Sequence, residues 1–262
     1  MKILIIGDIV GKGGRKAVLN QVPILKEKYD CKFVIANGEN IANGSGLSYK
    51  CTRELSETVD VISTGDHVWD QKKFETEINE FNNVLRPANF SNLQPGKGWD
   101  IFTAENGKKV AVINLLGKVF VRESAYCPFE TVENILKKNE LKNADIIIVD
   151  FHAEATSEKM AMGYFLDGKV SAVVGTHTHV QTSDAKILPQ KTAFITDLGM
   201  VGAEYSVLGR NVEAVVQKFR TGMPRRLPVE EKGIRFDAVI VEIDTKTGTA
   251  INIKSISKMT KY

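Results

Sequence analysis

The chain has four histidines, and all of them fall in short polar tracts that each follow an apolar run: His67 in TGDHVWD (64–70), His152 in DFHAE (150–154), and His177 and His179 in GTHTH (175–179). Two more tracts of this kind carry oxygen donors, Asp8 in IIGDIVG (5–11) and Glu39 with Asn40 in IANGEN (35–40). Imidazole with carboxylate and amide oxygens, and no thiolate, suits borderline or hard cations such as Mn²⁺, Fe or Zn²⁺. His177 and His179 are spaced i, i+2, so an extended backbone would point both rings to one side, roughly 6.5 to 7 Å apart. That separation fits one imidazole on each of two ions lying about 3.5 to 4 Å apart better than both on a single ion. These residues together read as a two-metal hydrolytic site.

The elements that must position them are read from the apolar runs. Ile3 to Ile6, Phe33 to Ala36, Val59 to Ile62, Val110 to Leu116, Ile146 to Val149, Val170 to Val174 and Ala193 to Ile195 are near-continuous, as expected of strands buried on both faces. Amphipathic stretches of helical length lie between several of them: Arg15 to Tyr29, Gln71 to Glu80, Thr131 to Asn139 and Thr156 to Leu166. Asn106-Gly107 signals a hairpin between Ile101–Thr103 and Val110–Ile113. A second hairpin is expected from Phe236–Ile243 and Ala250–Ile256, turning at Thr247-Gly248. The fold class is therefore mixed α/β, with antiparallel additions to a largely parallel core. In such sheets ligands bind outside the carboxyl ends of the strands, which is where each polar tract falls.

Taken singly, each tract has a plainer role. A GD pair after a strand is usually a turn or cap, GENIANGSG is usually a connecting loop, and an isolated His152 is most simply a hydrogen-bonded core residue. The joint occurrence of every histidine with Asp8 and Glu39 at strand ends is what favours a metal site. GDIVGKGG is not a phosphate loop of the Walker type, because the spacing is too short and no Ser or Thr follows Lys12. Ser157–Lys159 reads as a solvated helix face. Composition sets wide bounds: 262 residues with 43% hydrophobic and 26% charged content can form one large core, so a single domain over 1–262 is expected. No apolar run approaches the roughly 18 residues of a membrane span, and the opening segment lacks a cleavage pattern, so no membrane partner and a cytoplasmic location are expected. Cys31, Cys51 and Cys127 are widely separated and read as reduced bystanders. The net charge of +3 is dispersed, so charge does not indicate nucleic acid, while a small anionic substrate is compatible.

GD (7–8), GEN (38–40), GDH (65–67), DFHAEATSEK (150–159), GTHTHVQT (175–182) and ITDLGM (195–200) resemble the signature of the YmdB-type branch of the calcineurin-like metallophosphoesterases. The resemblance runs over essentially the whole chain. It implies a four-layer αββα sandwich with a dinuclear centre of Fe or Mn, with Zn as a further option. It also implies phosphodiesterase activity on cyclic nucleotides such as 2′,3′-cyclic AMP, in a cytoplasmic homo-oligomer (dimer or tetramer). By the same resemblance Glu39 would bridge the ions, Asp8, Asn40 and His179 would hold one, and Asp66, His152 and His177 the other. Where the wider superfamily has a histidine two residues after its first Asp, this chain has Val10, and Asn40 would supply the missing ligand. His67 would be the general acid at the leaving oxygen, opposite a metal-bridging hydroxide. Other readings of the same centre are a phosphomonoesterase, a nuclease, or a weakly catalytic regulatory binding protein.

The chain departs from the family pattern at one position: Asp66 stands where the family has Asn. An amide offers an oxygen to a metal and an NH₂ to a phosphate oxygen, whereas a carboxylate has no donor and adds negative charge beside an anionic ester. The expectation is tighter metal binding and weaker substrate binding.

Overall fold

The computed structural model describes residues 1–260. Among these, fourteen strands form two sheets. The first five are β1 (Lys2–Ile6), β2 (Asp8–Ile9), β3 (Cys31–Asn37), β4 (Val61–Ser63) and β5 (Val84–Leu85). The next six are β6 (Trp99–Thr103), β7 (Lys109–Leu116), β8 (Ile146–His152), β9 (Ala172–Thr176), β10 (Lys186–Ile187) and β11 (Ala193–Ile195). The last three, β12 (Met200–Ala203), β13 (Ile234–Ile243) and β14 (Ala250–Met259), return to the sheet of the first five. The helices are α1 (Gly11–Tyr29), α2 (Tyr49–Ser56), α3 (Phe74–Glu77), α4 (Pro128–Leu136), α5 (Thr156–Leu166) and α6 (Val212–Thr221).

The sheet that begins the chain runs β2-β12-β13-β1-β3-β4-β5, with β14 paired to β13; the other runs β10-β11-β9-β8-β7-β6. Parallel pairing holds across β1-β3-β4-β5 and across β7-β8-β9-β11, and β13, β6 and β10 join antiparallel. Both expected hairpins form, β6 with β7 around Asn106-Gly107 and β13 with β14 around Thr247-Gly248.

Alternation along the strands produces four layers. Ile3, Ile5, Phe33 and Ile35 point into a core shared with Val110, Val112, Ile148 and Val174, so the two sheets pack face to face. The intervening residues Leu4, Ile6, Val34 and Ala36 face outward against Val18, Val22 and Leu25 of α1. On the other side Ile113, Val149, Phe151 and Val173 meet Val132 of α4 and Met162 and Leu166 of α5. Central strands thus bury both faces, which is why their sequences read as unbroken apolar runs. The architecture is an αββα sandwich. No helix among the described residues is long and apolar enough to cross a membrane.

Three local expectations change. The helix expected over Gln71–Glu80 is only α3 followed by a 3₁₀ turn to Glu80. Helices α2 and α6 were not among those expected. Ser157–Lys159 is not a solvated face, because Lys159 is 1% exposed and Glu158 accepts from the backbone N–H groups of Lys118 and Val119.

Candidate metal centre

Five parallel strands deliver the polar tracts to one rim. β1, β3 and β4 lead to Asp8, to Glu39 and Asn40, and to Asp66 and His67; β8 ends on His152, and β9 leads to His177 and His179. The first three belong to one sheet and the last two to the other, so the site straddles the seam of the sandwich. Gly65 allows the close approach: a Cβ there would collide with the Glu39 carboxylate and the His152 ring.

Four of these residues converge closely enough to hold a metal ion: Glu39, Asp66, His152 and His177, with one ligand atom of each within 4.8 Å of the others. His152 Nε2 lies 3.1 Å from Asp66 Oδ1, 3.2 Å from Glu39 Oε1 and 3.0 Å from His177 Nδ1. Asp8 and His179 adjoin this group without belonging to it, and the Asn40 amide touches its Glu39 carboxylate. Asn40 donates from Nδ2 to Glu39 Oε1 at 3.0 Å and sits 3.4 Å from His179 Nε2. Asp8 is fully buried; its Oδ2 accepts from the His177 N–H at 3.1 Å, while Oδ1 has no hydrogen-bond partner among the described residues and lies 4.0 Å from His179 Nε2. An orphaned buried carboxylate oxygen, with ring nitrogens and acidic oxygens packed around one point, is a donor set that fits a cation.

The electrostatics agree. Burial raises the Asp8 carboxyl well above its usual range, with Glu39 and Asp197 adding to the effect. Burial also acts to raise Glu39 and Asp66, but the His152 ring overcomes it and both lie below the usual range, Asp66 with help from His177. His152 is raised well above its usual value against burial, because Glu39 and Asp66 favour its charged form. A metal ion seated here would supply the positive charge that the His152 proton otherwise carries. Burial pushes His179 down to about 4, which keeps its imidazole neutral, the form that ligates metals.

His177 and His179 do reach the same site, but not on an extended backbone. Their φ angles are 103° and 62°, in the left-handed region where non-glycine residues are strained. The strain is held by an anchor between them. The N–H of Thr178, between the two histidines, donates to Asp197 Oδ2 at 3.0 Å, and that oxygen also takes the Lys159 ammonium at 2.6 Å. Lys159 and Asp197 are both buried, so the loop that carries two ring donors rests on a buried ion pair.

The residues behind the ligands were not picked out from the sequence. His152 Nδ1 lies 2.9 Å from Thr176 Oγ1, which donates to Asp150 at 2.8 Å, so Nε2 is the nitrogen turned to the cluster. Glu154 Oε2 holds His177 Nε2 at 2.9 Å, and Asp70 Oδ2 holds His67 Nδ1 at 3.0 Å. Their signals were their places two and three residues after His152 and His67. For Lys159 the signal was periodicity, since Lys159, Met162, Gly163 and Leu166 form the buried stripe of α5. The His67 side chain is 41% exposed and faces a cavity of about 360 Å³ that Glu39, Asn40, His177 and His179 also line.

The sequence model of the family described as YmdB-like protein matches residues 4–256. The chain is 45% identical to the 2′,3′-cyclic-nucleotide 2′-phosphodiesterase of Bacillus subtilis over 262 residues, covering 98% of this chain and 96% of that one. A solved structure of a hypothetical protein from Thermus thermophilus superposes with a TM-score of 0.92 at 37% identity, covering the whole of both chains. That of a novel phosphatase from Mycoplasma pneumoniae also gives 0.92, at 36% identity, covering 99% of this chain and 93% of the other.

Proposed function

Because the chain belongs to the YmdB-like protein family, we propose that it is a metal-dependent phosphodiesterase that opens the ring of 2′,3′-cyclic nucleotides. The observation that carries this reading is the convergence of Glu39, Asp66, His152 and His177 beside the partnerless oxygen of Asp8, with His67 at the edge of the same cavity. Two ions would be held, one by Asp66, His152 and His177 and the other by Asp8, Asn40 and His179. Glu39 would serve both, since its Oε1 contacts His152 on one side and Asn40 on the other. Fe or Mn suits these oxygen and imidazole donors best, and Zn is also compatible. Bound there, such ions neutralise phosphate oxygens and make water nucleophilic near neutral pH.

The chain's own groups account for the remaining steps. Asp70 grips Nδ1 of His67 and fixes the ring's orientation, leaving Nε2 to hand a proton to the departing ribose oxygen. Water adds to phosphorus, the bond to one ribose oxygen breaks, and the product is a nucleoside monophosphate. Asp70 thus serves His67 as Glu154 serves His177, each fixing a ring through its second nitrogen. We further propose that the described chain is a single domain acting as a cytoplasmic homo-oligomer.

The test is metal content and turnover measured together. Purified protein is expected to carry two transition-metal ions per chain and to hydrolyse 2′,3′-cyclic AMP in preference to monoesters and linear RNA. Glu39→Ala should lose one or both ions and lower kcat/KM by at least ~10³-fold, consistent with several kcal/mol of metal-derived stabilisation. Full two-metal occupancy in that variant, or a preference for monoesters in the parent protein, would overturn the reading.

A further inference from the structure

The cavity beside the ligand cluster continues onto a wall that the chemistry of phosphate does not explain. Val207, Leu208, Val215, Phe219 and Leu227 line it opposite His67 and His177. Phe219 is 80% exposed and Leu208 is 47% exposed, so a large apolar surface lies open next to a site built for an anion. A pocket that is polar at one end and apolar at the other fits a ligand with the same division.

This wall is rigid. Helix α6 is capped by Asn211, whose side chain accepts from the Ala214 N–H at 3.1 Å, and it ends on Gly222 at φ 65°. The preceding loop is closed by paired backbone bonds between Val207 and Arg210, both 2.9 Å. The Arg210 guanidinium is occupied by the carbonyls of Asn43, Gly44 and Leu227. Leu208, at φ 52°, approaches a candidate ligand directly, with its carbonyl 3.3 Å from His179 Nδ1. The wall is therefore tied to the metal-binding rim at a set separation.

Resting on the phosphodiesterase reading, we infer that the Leu208–Phe219 wall is the nucleoside subsite, with Phe219 as the face on which the base stacks. Arg210 is committed to backbone carbonyls, so among the described wall residues only Lys218 keeps an uncommitted polar group. Recognition here rests mainly on the face of the base, with Lys218 the one wall side chain left to meet its edge. The subsite should then accept all four bases and favour purines, whose stacking area is larger.

The experiment compares metal-loaded parent protein and Phe219→Ala on 2′,3′-cyclic AMP and on a base-free analogue, methyl ribofuranoside 2′,3′-cyclic phosphate. Calorimetric binding of adenosine 3′-monophosphate is measured alongside. The parent should prefer the nucleotide, and Phe219→Ala should cut that preference and weaken monophosphate binding by roughly 5- to 100-fold, the range for losing one stacked base. Phe219→Trp should retain both. Equal losses on the two substrates, unchanged monophosphate affinity, or a Phe219→Ala variant altered only in oligomeric state by sedimentation would overturn the subsite. The last result would assign to a second copy the exposed stripe of Val212, Val216, Phe219 and Met223. A parent protein that turns over neither substrate would instead fail the phosphodiesterase reading, and the subsite with it.

Discussion

The rim and the wall of one cavity are built on opposite principles. On the rim, most ring nitrogens and carboxylates have a partner behind them: Thr176 and Asp150 behind His152, Glu154 behind His177, Asp70 behind His67, and Lys159 with Asp197 behind the loop. On the wall, Phe219 and Leu208 stand largely in solvent. The difference teaches where precision is needed. A charged cluster removed from water is tolerable only when its geometry is set by hydrogen bonds and ion pairs, whereas an apolar surface needs only to be flat, rigid and near. On the proposed reading, chemistry resides in side chains held from behind, with Asp8 Oδ1 left open for a ligand, and recognition in the surface left uncovered.

That contrast can be broken at several points. The largest effect is expected at His67, where the rim meets the cavity: His67→Ala should keep the metals but lower kcat by about 10²- to 10⁴-fold, the usual contribution of a positioned acid. The loss should shrink for esters of p-nitrophenol, whose leaving group needs little protonation, and equal losses for good and poor leaving groups would remove the acid role. Next is the support beneath the rim. Lys159→Met keeps most of the apolar stem but leaves Asp197 buried without its cation, which should cost about 3 to 5 kcal/mol in chemical denaturation. Metal content should fall with it as the His177–His179 loop loosens. Pairing the change with Asp197→Asn should recover part of the stability, and a single variant within about 0.5 kcal/mol of the parent would show that the loop holds itself.

The smallest effect is expected where the chain departs from its family. The Asp66 side chain is 11% exposed and its carboxylate is held in the ionised form by His152 and His177; if that charge opposes an anionic substrate, removing it should help turnover. Asp66→Asn keeps an oxygen for the metal and adds a donor for phosphate. At saturating metal kcat/KM should rise about 10-fold, in line with one hydrogen bond to a charged group at roughly 1.5 to 3 kcal/mol. An unchanged or lower value would mean that Asp66 serves the cluster as a carboxylate and is shielded from substrate.

Much of this was legible because it is local or periodic. The apolar runs marked seven of the strands, usually within two residues, and Asn106-Gly107 and Thr247-Gly248 marked the hairpins. Every candidate ligand was named from its place after a run. What escaped notice depended on neighbours distant in the chain. Lys159 looked like a surface residue because its partner, Asp197, is 38 residues away and the buried ion pair exists only when β9 and β11 lie side by side. Helix α6 was missed although its apolar residues are periodic: Val212, Val216 and Phe219 lie at helical spacing but stay exposed, and Val215 is its buried residue.

The sequence by itself determined which residue types could bind metal, their position at strand ends and the alternation that makes strands buried on both faces. Side-chain direction follows from a period of two, and that period is written residue by residue. Tertiary structure alone decided that the two sheets meet so that Glu39 and Asp66 from one face His152 and His177 from the other, and that His177 and His179 converge through left-handed turns and not along a straight strand. The physical reason is that strained backbone and buried charge cost free energy locally and persist only when contacts from remote segments outweigh that cost.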